Sequence, residues 1–107
     1  MHYLFDTAVE KVCKIWEVTE SDLFSKSRKT NITEARQVLY FYLWYHYDMT
    51  KAMIQQQFSR RGLDVHHSSI AYAIKKLYKL YLEKHGEMER RYLYLMMENL
   101  LEDVQTV

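Results

Sequence analysis

Apolar residues recur along this chain at helical intervals. Leu4, Ala8, Val12 and Ile15 fall three or four apart, with Glu10, Lys11, Lys14 and Glu17 between them, which predicts an amphipathic helix over residues 3–18. Thr19 is placed to cap a short second helix, Glu20 to Phe24. Its hydroxyl can accept a free N–H of a first turn that already carries Glu20 and Asp22, and Leu23 and Phe24 supply core anchors. Ser25-Lys26-Ser27-Arg28-Lys29-Thr30-Asn31 holds no apolar residue and predicts an exposed basic loop, ended by Thr33 as the next N-cap. From Glu34 to about Tyr47 the positions Val38, Leu39, Phe41, Tyr42, Leu43, Trp44 and Tyr45 are so densely apolar and aromatic that the helix has to be buried on most sides.

Thr50 is the N-cap of a fourth helix, with Met53, Ile54 and Phe58 inward and Lys51, Gln55, Gln56 and Gln57 outward; Gly62 then ends the segment in a turn. A fifth helix is predicted to start near His67 or Ser68, with Ile70, Ala73, Ile74, Leu77 and Tyr81 on one face and Lys75, Lys76 and Lys79 elsewhere. Gly86 marks a break or kink. Beyond it Met88, Tyr92, Leu95, Met96 and Leu100 keep helical spacing into an acidic segment, a helical extension over 87–104 that either closes the core or meets a partner chain, a second copy included.

Composition agrees with this pattern. With no proline and two glycines among 107 residues the chain suits long helices and lacks hairpin turns, and its length fits a single domain, 1–107. The longest nearly uncharged run, 38–47, is about ten residues where a bilayer span needs roughly twenty, so no membrane role is expected. One cysteine, Cys13, allows no internal disulfide, and no N-terminal stretch has the form of a secretion signal. The expected setting is the reducing cytoplasm, with nucleoid association if the source is bacterial.

Net charge is only +1, but its distribution is uneven. Residues 26–84 carry eleven Lys and Arg against four acids, while residues 1–25 and 85–107 each carry two against five. A basic middle between acidic ends suits a polyanion, because phosphate contacts need cations gathered on one side. Lys75, Lys76 and Lys79 also fit a merely solvated helix face.

The chemistry lies where the helix Thr50–Ser59 is joined by a turn to a helix opening with His66-His67-Ser68-Ser69. This arrangement, a helix-turn-helix over about 50–84, lays one helix end in the DNA major groove. Two stretches, 22–43 and 49–77, resemble the C-terminal DNA-binding domain of the bacterial replication initiator DnaA. The first carries Asp22-Leu23-Phe24-Ser25-Lys26-Ser27-Arg28-Lys29 followed by Ala35-Arg36-Gln37, similar to the family's basic loop and helix start. The second carries His66-His67-Ser68-Ser69-Ile70-Ala71-Tyr72-Ala73-Ile74-Lys75-Lys76-Leu77, similar to its Asp-His-Ser/Thr-Thr-Val-x-His-Ala-x-Arg/Lys-Lys-Ile signature.

The resemblance implies an all-α bundle of five to six helices with a DnaA-like, Trp-repressor-like helix-turn-helix and an extended C-terminal helix. It implies double-stranded DNA as partner, in replication initiation control or transcriptional regulation; such a module also suits a phage or mobile element. It makes Arg28 the arginine for the minor groove, flanked by Lys26 and Lys29, places Arg36 and Gln37 on phosphate, and assigns base and methyl contacts to His67, Ser68 and Ser69. The N–H groups and positive end of the fifth helix favour the same role without any alignment. Lys51, Lys75, Arg60 and Arg61 are further phosphate candidates.

The chain departs from the family at His66, which stands where an aspartate is expected, and in Ser59-Arg60-Arg61-Gly62-Leu63-Asp64-Val65, where the turn is four residues longer.

Other chemistries find little support. His66 and His67 are adjacent and would point apart, and one cysteine is too few for a soft-ligand site, so no metal and no cofactor is expected. No strained turn or oriented acid turns His67 and Ser68 into a catalytic pair, and no phosphate-binding glycine loop is present, so the chain is not expected to be an enzyme. The alternative reading is a protein-interaction module on the same fold, engaging a replication or host factor through the aromatic helix and acidic segment. Exposed aromatics and arginines that fail to converge would be its marks.

Overall fold

A computed structural model describes the backbone of residues 2–83 and the side chains of residues 3–80. The described residues form five helices: α1 His2–Trp16, α2 Glu20–Leu23, α3 Thr30–His46, α4 Lys51–Arg60 and α5 His67–Glu83. The break at Gly86, the extension over 87–104 and the Tyr81 side chain lie outside the described residues.

α1 buries Phe5, Ala8, Val9, Val12 and Trp16. It stops at Trp16, earlier than the periodicity suggests, because Glu17 enters the left-handed region at φ 54° and Val18 N–H reaches back to the Cys13 carbonyl at 3.1 Å. The buried Val18 completes this helix-ending motif with an apolar contact. α2 starts as expected, with Asp22 N–H donating to Thr19 Oγ1 at 3.0 Å.

α3 begins one turn ahead of the predicted start. Thr33 is not its cap: Thr33 N–H donates to the Lys29 carbonyl at 2.9 Å, and Lys29 occupies the cap position without a side-chain bond. Burial decides this, since Ile32 and Ala35 are both buried and a helix starting at Thr30 is what turns them inward together. α3 packs against all four other helices and buries every position from Val38 to Leu43, whereas Tyr45 is exposed.

Around α3 the rings of Phe5, Phe24, Tyr40 and Phe58 form one cluster, with Phe58 at 5.7, 5.2 and 5.0 Å from the other three centroids. That cluster ties α1, α2, α3 and α4 together.

α4 is capped by Thr50, whose Oγ1 accepts from Met53 N–H at 3.1 Å. Ile54 and Phe58 point inward as expected, but Gln57 is buried too, contrary to its outward assignment; its Oε1 accepts from Arg60 at 3.4 Å, so its amide is satisfied rather than solvated. The helix ends at Gly62, φ 93°, where Leu63 N–H reaches the Phe58 carbonyl at 3.1 Å and the Leu63 side chain is buried. A Cβ at Gly62 would meet nothing within 4 Å, so Gly62→Ala isolates the backbone cost. Gly62→Ala is expected to destabilise the fold by about 1–2 kcal/mol in urea unfolding. A loss of only a few tenths would mean that the turn relaxes out of the left-handed region.

α5 buries Ile70, Ala73, Ile74, Leu77 and Leu80. It runs in the same direction as α3: Ser68, Ser69 and Tyr72 near its start lie beside Thr33, Arg36, Gln37 and Tyr40, and Tyr78 further on meets Phe41, Trp44 and Tyr45. Among the described residues no helix is long and apolar enough to cross a membrane.

Candidate nucleic-acid interface

Parallel packing brings the N-termini of α3 and α5 to the same end of the molecule. There Thr33, Arg36, Gln37 and Tyr40 from α3 and Ser68, Ser69 and Tyr72 from α5 line one open groove. Neither helix has an acid in its first turn. Two positive helix ends therefore stand side by side without a neutralising carboxylate of their own.

The basic loop joins this end through Arg36. Its Nε donates to the Leu23 carbonyl at 2.8 Å, one terminal nitrogen to Ser27 at 2.8 Å, and the other to the carbonyls of Asp22 and Ser25. The guanidinium fork is thus largely occupied by main chain, which holds the loop to the start of α3. Burial pushes its pKa down, with Tyr40 opposing. Tyr40 beneath it is itself pushed up to about 12 by burial, against the pull of Arg36, so it stays neutral.

The serines complete the loop. Ser25 Oγ donates to the Asp22 carbonyl at 2.7 Å and accepts from Ser27 N–H at 3.2 Å, and Ser27 Oγ accepts from Lys29 N–H at 3.3 Å. Ser25 and Ser27 are half-buried, while Lys26, Arg28 and Lys29 are exposed. Serines inward and cations outward is the arrangement an anion-facing loop needs.

α5 opens with His66, His67, Ser68 and Ser69 all exposed; the His66 carbonyl accepts from Ser69 N–H at 3.0 Å and Ile70 N–H at 3.3 Å. The long turn before it is braced by Ser59 Oγ donating to Asp64 Oδ1 at 3.0 Å and by the Gln55 amide donating to the Val65 carbonyl at 2.9 Å. Arg60 and His66 line the opposite, α4 side of the turn together with Gln56 and Asp64.

Arg61 has partners within the protein. It pairs with Asp6 at 2.8 Å and Glu20 at 3.5 Å, and its guanidinium lies 5.0 Å from the Phe24 ring centroid. The hydrogen bond it donates to Asp6 comes first among the causes that raise its pKa. It fastens the turn to α1 and α2.

Gln37 is half-buried and accepts from Lys76 at 3.2 Å, bridging α3 and α5. Lys51 is half-buried at the start of α4, and Lys75 is exposed on α5. The sequence reading passed over Thr33 and Tyr72 as groove residues. Tyr72 was detectable in principle, as a large aromatic four positions after Ser68 and off the apolar face.

A short capped helix, a turn that enters the left-handed region at Gly62 and a second helix with an exposed polar N-terminus define a helix-turn-helix domain. Residues 5–77 match the family of the bacterial DnaA protein helix-turn-helix, and the chain belongs to that family. It is a family of DNA-binding domains, and double-stranded DNA is the partner that membership supports. No individual curated protein matches the chain.

Proposed function

We propose that this protein binds duplex DNA in a sequence-dependent way, in replication initiation control or transcriptional regulation. The N-terminus of α5 enters the major groove, where His67, Ser68 and Ser69 reach base edges. The loop carrying Lys26, Arg28 and Lys29 follows the neighbouring minor groove. One observation carries this reading: Arg36 holds the loop by its carbonyls and lines the same groove as Ser68 and Ser69, so the two reading elements share one rigid end. His66 and Arg60 are assigned to phosphates beside the turn, and Lys51 and Lys75 to the flanking backbone.

The test is selection from random duplex DNA at two salt concentrations. Enrichment of a short motif containing A·T pairs, with a steep salt slope, is the expected result; no retention at low salt would overturn the proposal. Arg28→Ala is expected to weaken binding and lower the log–log salt slope by about 0.9. His67→Ala or Ser69→Ala is expected to cost about 1–3 kcal/mol on the preferred sequence and far less on others.

A second reading has its own observation. Trp44, Tyr45, Met49 and Tyr78 line a groove at the other end of α3, with Tyr45 and Tyr78 39% and 38% exposed. If no duplex is retained, this aromatic face is the place for a protein partner.

A further inference from the structure

On α5 the residues Ser68, Tyr72 and Lys76 follow at intervals of four and so form one stripe running from the reading end along the side of the helix. Tyr72 is 62% exposed, large and aromatic, and lines the same groove as Ser68, Ser69 and Gln37. The ammonium of Lys76 lies 6.0 Å from its ring centroid and donates to Gln37 Oε1 at 3.2 Å. That hydrogen bond uses one of three N–H donors and fixes the charge beside the ring, leaving two for an anion. The Tyr72 ring stands at the outer edge of cation–π reach of that ammonium.

Resting on the duplex-binding reading above, we propose that Tyr72 and Lys76, with Gln37 positioning the lysine, grip one phosphate of the strand bordering the groove that α5 enters. Helix geometry supports a backbone contact rather than a base contact. The first turn of α5, at the serines, is the part that enters the groove. Tyr72 stands one turn back, about 6 Å along the axis, and Lys76 about 12 Å, comparable to the width of the major groove. Side chains at that depth meet sugar and phosphate. A phenolic O–H and an ammonium can both donate to one phosphate, and such charge-assisted bonds are the strong ones. The pair adds affinity through the backbone, while base choice stays with the first turn of α5.

The experiment titrates the wild type, Tyr72→Phe, Lys76→Gln and the double variant against the selected duplex and against a scrambled duplex, over a range of salt. Lys76→Gln is expected to lower the salt slope by about 0.9. Tyr72→Phe is expected to weaken binding about tenfold, equally on both duplexes and with the slope unchanged. The double variant is expected to lose less than the product of the two single losses, because both act on one phosphate. Replacing backbone phosphates one at a time by uncharged methylphosphonates should reveal a single position at which neither substitution has any further effect.

Wild-type affinity in both single variants, multiplicative losses, or a Tyr72→Phe loss confined to the selected sequence would each overturn the shared-phosphate contact while leaving duplex binding intact. Failure of the wild type to bind either duplex would remove the parent reading instead. All three side chains lie outside the buried core, so the variants are expected to fold, and circular dichroism checks it.

Discussion

Arg36→Lys is expected to cost about 2 kcal/mol of stability and to weaken DNA binding more than tenfold, although the charge is kept. The planar fork of arginine serves four carbonyls, those of Asp22, Leu23, Ser25 and Ser27, in one plane of approach, and an ammonium on a flexible stem cannot reproduce that set. The lysine ammonium and water recover part of the loss, so the penalty stays near that of one charged hydrogen bond, about 1.5–3 kcal/mol. The loop carrying Arg28 would then be ordered only on binding, at a backbone cost of about 1–2 kcal/mol per residue. Thermal unfolding and a salt titration separate positioning from direct contact. If Arg36 only positions, Arg36→Ala weakens binding without lowering the salt slope; a slope lower by about 0.9 would return it to phosphate.

Phe58→Ala is expected to be the most destabilising single change, at about 3–5 kcal/mol. The side chain is fully buried and central to the ring cluster, where edge and tilted contacts add to area burial. Against a total near 5–15 kcal/mol for a domain, this is a large share, and a melting temperature lower by about 15 °C or more follows for a domain of this size. DNA binding should fall with it, because the ring anchors the stretch of backbone whose carbonyl, accepting from Arg61 and Leu63 N–H at 3.0 and 3.1 Å, closes the turn before α5. Phe58→Leu fills most of the space and is expected to keep most of the stability. A loss under about 2 kcal/mol for alanine would show that the cluster collapses into the vacated volume.

The helices were legible in the sequence because local rules wrote them. Apolar spacing gave α1, α4 and α5, Thr19 and Thr50 are the caps they look like, and Gly62 sits at the positive φ that its residue type announces. The start of α3 was not legible, since a threonine favoured for capping lost to burial of Ile32 next to it. Site residues were legible by type but not by duty. Arg36 and Arg61 look alike as cations, yet the partners that decide their roles are distant in sequence: main-chain carbonyls of the preceding loop for one, Asp6 and Glu20 for the other. Family resemblance carried over the residue types and was silent about those partners. Gln57 was misassigned for a related reason, as polarity alone does not tell a solvated amide from a buried one satisfied by a neighbouring arginine.

The basic loop is held by its peptide groups and two serines, so Lys26, Arg28 and Lys29 contribute little to the scaffold that presents them. Their identities are therefore free to drift. A population of variants could exchange these three side chains, altering affinity and preferred groove width, while the fold and the placement of α5 stay unchanged. In protein-engineering terms the loop is an interchangeable cartridge, and a library randomised at 26, 28 and 29 would sample new DNA preferences from a background of uniformly folded molecules.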